Sequence, residues 1–495
     1  MSYLELVRLA APETIVVLTA LAVLAADLLA LQGLEPKFRL AINAMISSLG
    51  CLVAIGWMLA LPQHGNLADG VFVADPLTQL LKIALLALTI FSLLLAADIS
   101  FTGHVGEYFA LILLSVVGMM FLVSAEDLLM IFVSLEMTSL TLYLLTAFDQ
   151  HRLESAEAGL KYFLFGAMSA AFALFGFSLL YGFSGSTNLG RIAAAIHGPQ
   201  LDPLLILAMV MTVVGFAFKV AAAPFHLWAP DTYQGAPIPS AALIASGSKV
   251  AGFFIFAKVM LLGFPSVAGS GGGPGYLPGW IPLLAALAAA SMVLGNLAAI
   301  VQTSVRRLLA YSAIAHAGYM LLGVMAHSSQ GLAALLYYAI TYGLTTVGAF
   351  GVVSVVQDRA GGDQLSDFSG LSRRAPVLSA CMLVFMLSLA GIPPLAGFFG
   401  KFFVFASALR EPAANLSLLW LVVLALGASA VSLYYYLQVL KRIYVSDPSA
   451  TAPVQATATL REAAIVLLAL AVVLLGCFPG WLIDRLAEAI RLAGL

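Results

Sequence analysis

Lys219 stands inside an apolar run, in VGFAFKVAAAPFHLWAPDTYQGAP, five residues ahead of Pro224. An ionisable side chain at the centre of a bilayer costs about 2.5–3.5 kcal/mol on insertion scales, so a chain that keeps one there uses it for pairing or for moving charge. Three residues share this setting: Lys249 in IASGSKVAGFF, Lys401 after the GIPP of LAGIPPLAGFFGKFF, and Glu136 in LLMIFVSLEMTSLTLYLL. With one central glutamate and several central lysines, ion pairing leaves amines over, and some must be neutral part of the time. Burial favours the neutral amine and a nearby carboxylate favours the charged one. A lysine alternately near to and far from Glu136 therefore takes up and releases a proton, and Lys219 is the residue that switches. The competing reading is a buried ion pair that only fixes helix packing.

Further candidates carry less. His316, in AYSAIAHAGYM, sits near mid-membrane and fits a relay working near neutral pH, although a lone histidine is commonly a satisfied core residue. Lys161, in EAGLKYFLFGAM, either guides protons inward or snorkels to the nearby surface. Lys258 is an exit group or another snorkelling residue. Lys82, within two turns of Asp75, is read as structural. His226 and Asp231 lie at the edge of the membrane, where loop shaping and proton entry are equally good readings.

The elements that must position these groups follow from composition. Hydrophobic residues make up 62% of the 495 residues and charged residues 9%; mean hydropathy is +1.04. A water-soluble domain has about 25% charged residues, so this is an integral membrane protein. The apolar runs are far longer than the roughly ten-residue alternating segments of a membrane β-barrel, so the spans are helical. Punctuation by Gly, Pro and charge gives about fourteen: 9–31, 40–61, 76–97, 106–123, 127–148, 155–182, 203–224, 238–262, 280–302, 305–326, 331–357, 376–409, 416–445 and 460–484. The first is a retained helix, since no basic leader or cleavage site precedes it. With the N-terminus outside, eleven basic residues, among them Lys37, Arg39, Arg152, Arg306 and Arg307, fall in cytoplasmic loops against five outside. Both termini are then periplasmic.

Two spans are interrupted by proline, the seventh at Pro224 and the twelfth at Gly391, Pro393 and Pro394. Each is the fourth member of a five-helix set. Because five is odd, the second set runs inverted through the membrane, an arrangement that points to ion sites near the midplane. The chain accordingly divides into 1–105, a three-helix segment; 106–263 and 279–445, the two five-helix repeats; and 446–495, a C-terminal helix.

No P-loop, dinucleotide-binding motif, CxxC or haem-like histidine pair occurs. Cys51, Cys381 and Cys477 are scattered in separate apolar segments and read as packing residues; no metal or Fe–S role is expected. The Gly-rich stretch 269–279 is a connector, and a net charge of −2 gives no footprint for nucleic acid.

At FKVAAAPFHLWAPDTYQGAP, SGSKVAGF, YSAIAHAGYM and GIPPLAGFFGKFF, the sequence resembles the antiporter-like subunits of respiratory complex I, from about the fourth to the thirteenth helix. The PFHLWAPDTYQGAP form is similar to the N-type branch of bacterial NADH:quinone oxidoreductase; M-type, L-type and Mrp relatives usually carry a different loop. M-type chains tend to have glutamate where Lys401 stands, and the long lateral helix of the L-type does not follow the last span. The resemblance implies fourteen helices with two inverted half-channels, each a proton path. It implies roles for Glu136 and for Lys219, Lys249 and Lys401. It implies NADH, FMN, Fe–S clusters and quinone on other subunits and no cofactor on this chain. The partners implied are an M-type neighbour and small membrane subunits in the bacterial inner membrane. An Mrp-like secondary cation/proton antiporter is the alternative, disfavoured by the single central glutamate. A purely structural spacer is disfavoured by the run of buried lysines.

Overall fold

The computed structural model describes residues 8–61, 64–99, 101–196, 202–272, 276–410, 417–447 and 460–495. The first seven residues, part of the Gly-rich connector and most of the link before the last span lie outside the described residues.

The fold is all-α, with one addition that the sequence reading did not anticipate, a two-stranded antiparallel hairpin of β1 (Gly65–Leu67) and β2 (Phe72–Ala74). Twelve helices among the described residues are long and apolar enough to cross a membrane. The chain runs through α1 (Ala11–Ala26, extended by a π-helical turn to Leu31), α2 (Pro36–Ala60), α3 (Pro76–Ala96), α4 (Val105–Ser124), α5 (Leu128–Thr146) and α6 (Leu153–Ser184). It continues with α7 (Pro203–Lys219), α8 (Trp228–Gly235), α9 (Ile238–Ala245), α10 (Gly247–Lys258), α11 (Trp280–Ile300), α12 (Val305–Met325) and α13 (Ser329–Ala360). The last elements are α14 (Pro376–Ala390), α15 (Ala396–Leu409), α16 (Leu419–Tyr444), α17 (Leu460–Cys477) and α18 (Gly480–Ala493).

The expected seventh and twelfth spans are the discontinuous ones. The seventh stops at Lys219 and resumes as α8; the twelfth is α14 and α15 either side of Gly391–Leu395. A third interruption was not foreseen: α9 and α10 meet at Ser246, whose φ of −115° and ψ of −83° break the ladder three residues before Lys249. The expected last span also ends early, at Cys477. Beyond Pro479 the amphipathic α18 packs Leu486, Ala489 and Ile490 inward and leaves Trp481 and Leu492 exposed.

Helix ends follow local chemistry. Asp75 and Thr78 form a reciprocal cap on α3, Asp127 accepts from the first N–H groups of α5, and Ser304 accepts from Arg307 N–H on α12. Proline opens α2, α3, α7 and α14, where its missing N–H is not needed.

Two details recur in matching places. Backbone bridges join Asp127 to Asn188, from the turn before α5 to the chain after α6, and Ser304 to Gln364, from the turn before α12 to the chain after α13. Each has the same pair of bonds: Leu128 N–H to Thr187 O (2.8 Å) and Leu189 N–H to Glu126 O (3.0 Å), then Val305 N–H to Asp363 O (2.9 Å) and Leu365 N–H to Thr303 O (2.8 Å). Gly118 faces the backbone of Thr138 across α4 and α5; Gly295 faces Ala315 across α11 and α12 so closely that an added Cβ would lie 2.6 Å from a backbone nitrogen. Small residues let these helix pairs approach.

The core is formed by α9, α10, α12 and α13, which are buried almost throughout, while α1, α2, α6, α16 and α17 turn much of their apolar surface outward.

Candidate functional site

α7 ends where its last residue, Lys219, meets a turn through Ala221, at φ +58°. The turn is held from α8 by the Trp228 indole, which donates to Phe218 O (3.1 Å) and stacks on Tyr162 at 4.3 Å between ring centroids. The buried Lys219 amine donates to Ser139 Oγ at 3.3 Å. Ser139 lies one turn along α5 from Glu136, and one cavity is lined by Glu136, Ser139, Tyr143, Ser169 and Lys219. No ion pair within 4 Å joins Glu136 to Lys219 in this state. The two charges share a chamber with a serine between them, an arrangement in which a small shift of either side chain changes their separation.

Behind this chamber stands Lys249. Gly252, one turn further along α10, faces the Lys219 stem, and a Cβ there would meet Lys219 Cγ at 3.2 Å. The Lys249 amine donates to Ala313 O of α12 at 2.6 Å and lies 5.6 Å from the centre of the Tyr342 ring. His316, one turn on from Ala313, hydrogen-bonds through Nδ1 to the Tyr338 hydroxyl (2.6 Å) and through Nε2 to the Tyr436 hydroxyl (3.1 Å). Tyr436 continues to Ser312 Oγ at 2.5 Å, and the Tyr342 ring centre is 4.9 Å from that of the imidazole.

At the second helix break the buried Lys401 amine donates to Ala390 O (2.9 Å), the last carbonyl of α14, and to Ser429 Oγ (2.8 Å). It lies 5.2 Å from the centre of the Tyr319 ring. Tyr319 stands edge-on to His316 at 5.7 Å, and its hydroxyl accepts from Asn296, which also accepts from the Tyr435 hydroxyl. A cavity of about 320 Å³, lined by Gly391, Phe398, Phe402, Leu426 and Ser429, opens beside Lys401.

Of the six residues singled out from sequence, Glu136 and Lys219 share one chamber, and Lys249, His316 and Lys401 form a row with tyrosines between them. Lys161 is elsewhere: 40% exposed, it pairs with Glu157 (2.7 Å) and Asp231 (2.8 Å). Sequence reasoning missed Ser139, Ser429, Asn296 and Tyr319, Tyr338, Tyr342 and Tyr436. The available signal was Tyr338 and Tyr342, spaced one turn apart on α13 and in line with Thr341, Thr345 and Thr346 along one face.

Several other charges are held in ion pairs. Lys82 meets Glu13 at 2.7 Å, not Asp75, which is occupied as the α3 cap. Lys258 meets Glu126 at 2.9 Å. Asp231 is held by Lys161 and by Arg307 (2.7 Å). Burial pushes the Asp231 carboxyl up, and the hydrogen bonds from Lys161 and Arg307 more than offset this, holding it below the usual carboxylate range.

A family model described as NADH:quinone oxidoreductase/Mrp antiporter, transmembrane, matches residues 125–432, a stretch containing all six residues. The NADH-quinone oxidoreductase subunit N 2 of Acidobacterium capsulatum is 51% identical over 490 residues, 97% of this chain and 98% of that protein. The chain belongs to the NADH-quinone oxidoreductase subunit N family. Among solved structures, a chain of respiratory complex I from Thermus thermophilus with bound aureothin is 34% identical, with a TM-score of 0.78, covering 97% of this chain and 100% of that one. A chain of the Mrp complex from Dietzia sp. is 21% identical with a TM-score of 0.79, over 99% and 97% of the two chains. That second likeness carries the fold alone.

Proposed function

We propose that this chain is a proton-translocating membrane subunit of NADH:quinone oxidoreductase and moves protons through Glu136, Lys219, Lys249, His316 and Lys401. The observation that carries the reading is the buried polar row from Lys249 through His316 to Lys401, with the Glu136–Lys219 chamber beside it, in a chain of the subunit N family. Packing a helix bundle requires none of these amines. The lysines that do fasten helices, Lys82 and Lys258, have carboxylate partners.

On this reading a proton arriving at the first chamber changes the Glu136–Lys219 separation. Lys219 then passes its proton toward Lys249, and the tyrosine hydroxyls around His316 bridge to Lys401. Residues 106–263 and 279–445 act as two inverted half-channels, flanked by 1–105 and 446–495; the paired bridges at Asp127–Asn188 and Ser304–Gln364 support that division. Lys161 belongs at the entry to the path and not within the row. The energy comes from NADH oxidation and quinone reduction on partner subunits carrying FMN and Fe–S clusters. An M-type antiporter-like neighbour and small membrane subunits flank this chain in the bacterial inner membrane, with both termini periplasmic.

The test is Lys219→Ala in the assembled complex, in sealed vesicles, with NADH:quinone turnover and proton uptake recorded together. Both fall at least tenfold at normal assembly if Lys219 is a coupled carrier. Wild-type values of both would show the lysine to be structural.

A further inference from the structure

The stretch WAPDTYQG (Trp228–Gly235) forms α8, the short helix that follows the break after Lys219. It is gripped by two consecutive arginines at the start of α12, the helix that carries Ala313 and His316. Arg306, only 2% exposed, donates through its Nε to Tyr233 O (3.0 Å) and through a terminal nitrogen to Ala236 O. Those bonds go to backbone, inside the protein, and are indifferent to the side chains they hold. They are the permanent part of the clamp.

Arg307 makes the other part. It reaches Asp231 Oδ1 at 2.7 Å and Gln234 Oε1 at 2.9 Å, while Asp231 Oδ2 accepts from Lys161 of α6 at 2.8 Å. Asp231 and Arg307 are each 29% exposed. Pairs exposed to this degree contribute little to fold stability, and Arg306 and Trp228 already fasten the helix. Lys161, moreover, has Glu157 at 2.7 Å as a second carboxylate, so it can leave Asp231 without losing a counter-charge. The link is therefore dispensable for holding the chain together and cheap to make and break.

Arg306 fixes only the C-terminal end of α8, at Tyr233 and Ala236; the Asp231 link sets the spacing of the end that carries Trp228. On one side α8 holds the turn at Lys219 through Trp228; on the other, α12 presents the carbonyl that receives Lys249 and, one turn on, His316. We propose that Asp231 is a positioning residue: by bridging Lys161 on α6 and Arg307 on α12, it fixes the distance between the Lys219 end of α7 and the Lys249–His316 pair. Proton transfer from the first half of the chain to the second depends on that distance. The proposal rests on the proton path described above.

The test uses the assembled complex in sealed vesicles, normalised to assembled subunit content. Asp231→Asn and Arg307→Gln each lower NADH-driven proton uptake at least threefold. The double variant is no worse than the poorer single one, because both remove one link. Asp231→Glu, which keeps the charge, recovers at least half of the loss. Wild-type uptake in Asp231→Asn, losses that multiply in the double variant, or an Asp231→Glu as poor as Asp231→Asn would each overturn the proposal. Should Asp231→Asn not assemble, Arg307→Gln is read alone, since it removes the charge and the single nitrogen, Nη1, that reaches both Asp231 and Gln234. Lost uptake at normal assembly supports the link, and wild-type uptake rejects it. Lys219→Ala is run alongside: if it pumps normally, the proton path itself is wrong, whereas a dead Lys219→Ala beside a normal Asp231→Asn rejects only the link.

Discussion

The hydroxyls of Tyr338 and Tyr436 stand on either side of the His316 imidazole, one at each nitrogen. An imidazole with a partner at both nitrogens has one donor and one acceptor when neutral, so the two hydroxyls must be oriented oppositely, and passing a proton through the ring reverses both. Tyr436→Phe removes one oxygen and little volume. It leaves Ser312 Oγ and one ring nitrogen without that partner, at a cost of about 1–3 kcal/mol if water does not enter. We expect the variant to assemble and its proton uptake and NADH:quinone turnover to fall together by threefold or more, while Tyr434→Phe, on an exposed side chain, changes neither. The charged members of this site were legible in the sequence, because a lysine or glutamate in an apolar run stands out whatever its neighbours. The tyrosines and serines were not. A tyrosine is unremarkable in a membrane helix, and only folding shows which hydroxyls face a histidine. The expectation for Glu136 and Lys219 needed a refinement of the same kind: they share a chamber, but Ser139 holds the amine at rest.

At the scale of the element, the informative features are the interruptions. Proline marked two of them in the sequence, since its missing N–H and its ring are incompatible with the turn before. The break at Ser246 has no proline to mark it in the sequence. In the second proline break, α14 ends at Gly391, which adopts a left-handed φ of +88° and lies against the Lys401 stem: an added Cβ would meet Lys401 Cδ at 3.1 Å. Gly391→Ala thus acts twice. It costs about 1–2 kcal/mol for the left-handed backbone alone, and it crowds the amine whose bond to Ala390 O closes the end of α14. The expected result is a lower thermal midpoint of the purified complex together with a loss of proton uptake. The same substitution at Gly427, which has open space around it, should leave both unchanged.

Over the whole molecule, some of the buried charges among the described residues are held as ion pairs. Glu13–Lys82 and Glu126–Lys258 are pairs, the first almost wholly enclosed between α1 and α3. Breaking a buried pair by removing one partner leaves an uncompensated charge, at about 3–5 kcal/mol, whereas replacing both with apolar residues is often neutral. Lys82→Met alone should therefore reduce the amount of this subunit recovered in assembled complex, and Lys82→Met with Glu13→Leu should restore it, with proton uptake per complex unchanged. The sequence reading gave Lys82 a structural role from its place within two turns of Asp75; the carboxylate it meets is Glu13, distant in sequence and adjacent in space, while Asp75 caps the helix. The all-α membrane architecture was legible because long apolar runs can satisfy their backbone in a bilayer only as helices. The hairpin, the early end of the last span and the inward face of α18 were not, since each depends on contacts between segments.

Lys249 and Lys401 rest their amines on main-chain oxygens, Ala313 and Ala390, and among the described residues neither has a carboxylate within 4 Å. A neutral carbonyl orients an ammonium without cancelling its charge, so a positive charge placed at one end of the row is felt at the other more strongly than it would be in water. On the proposed path the row would behave as a capacitor: loading one plate raises the energy of charge on the next, so that the lysines are coupled through potential as well as through hydrogen bonds.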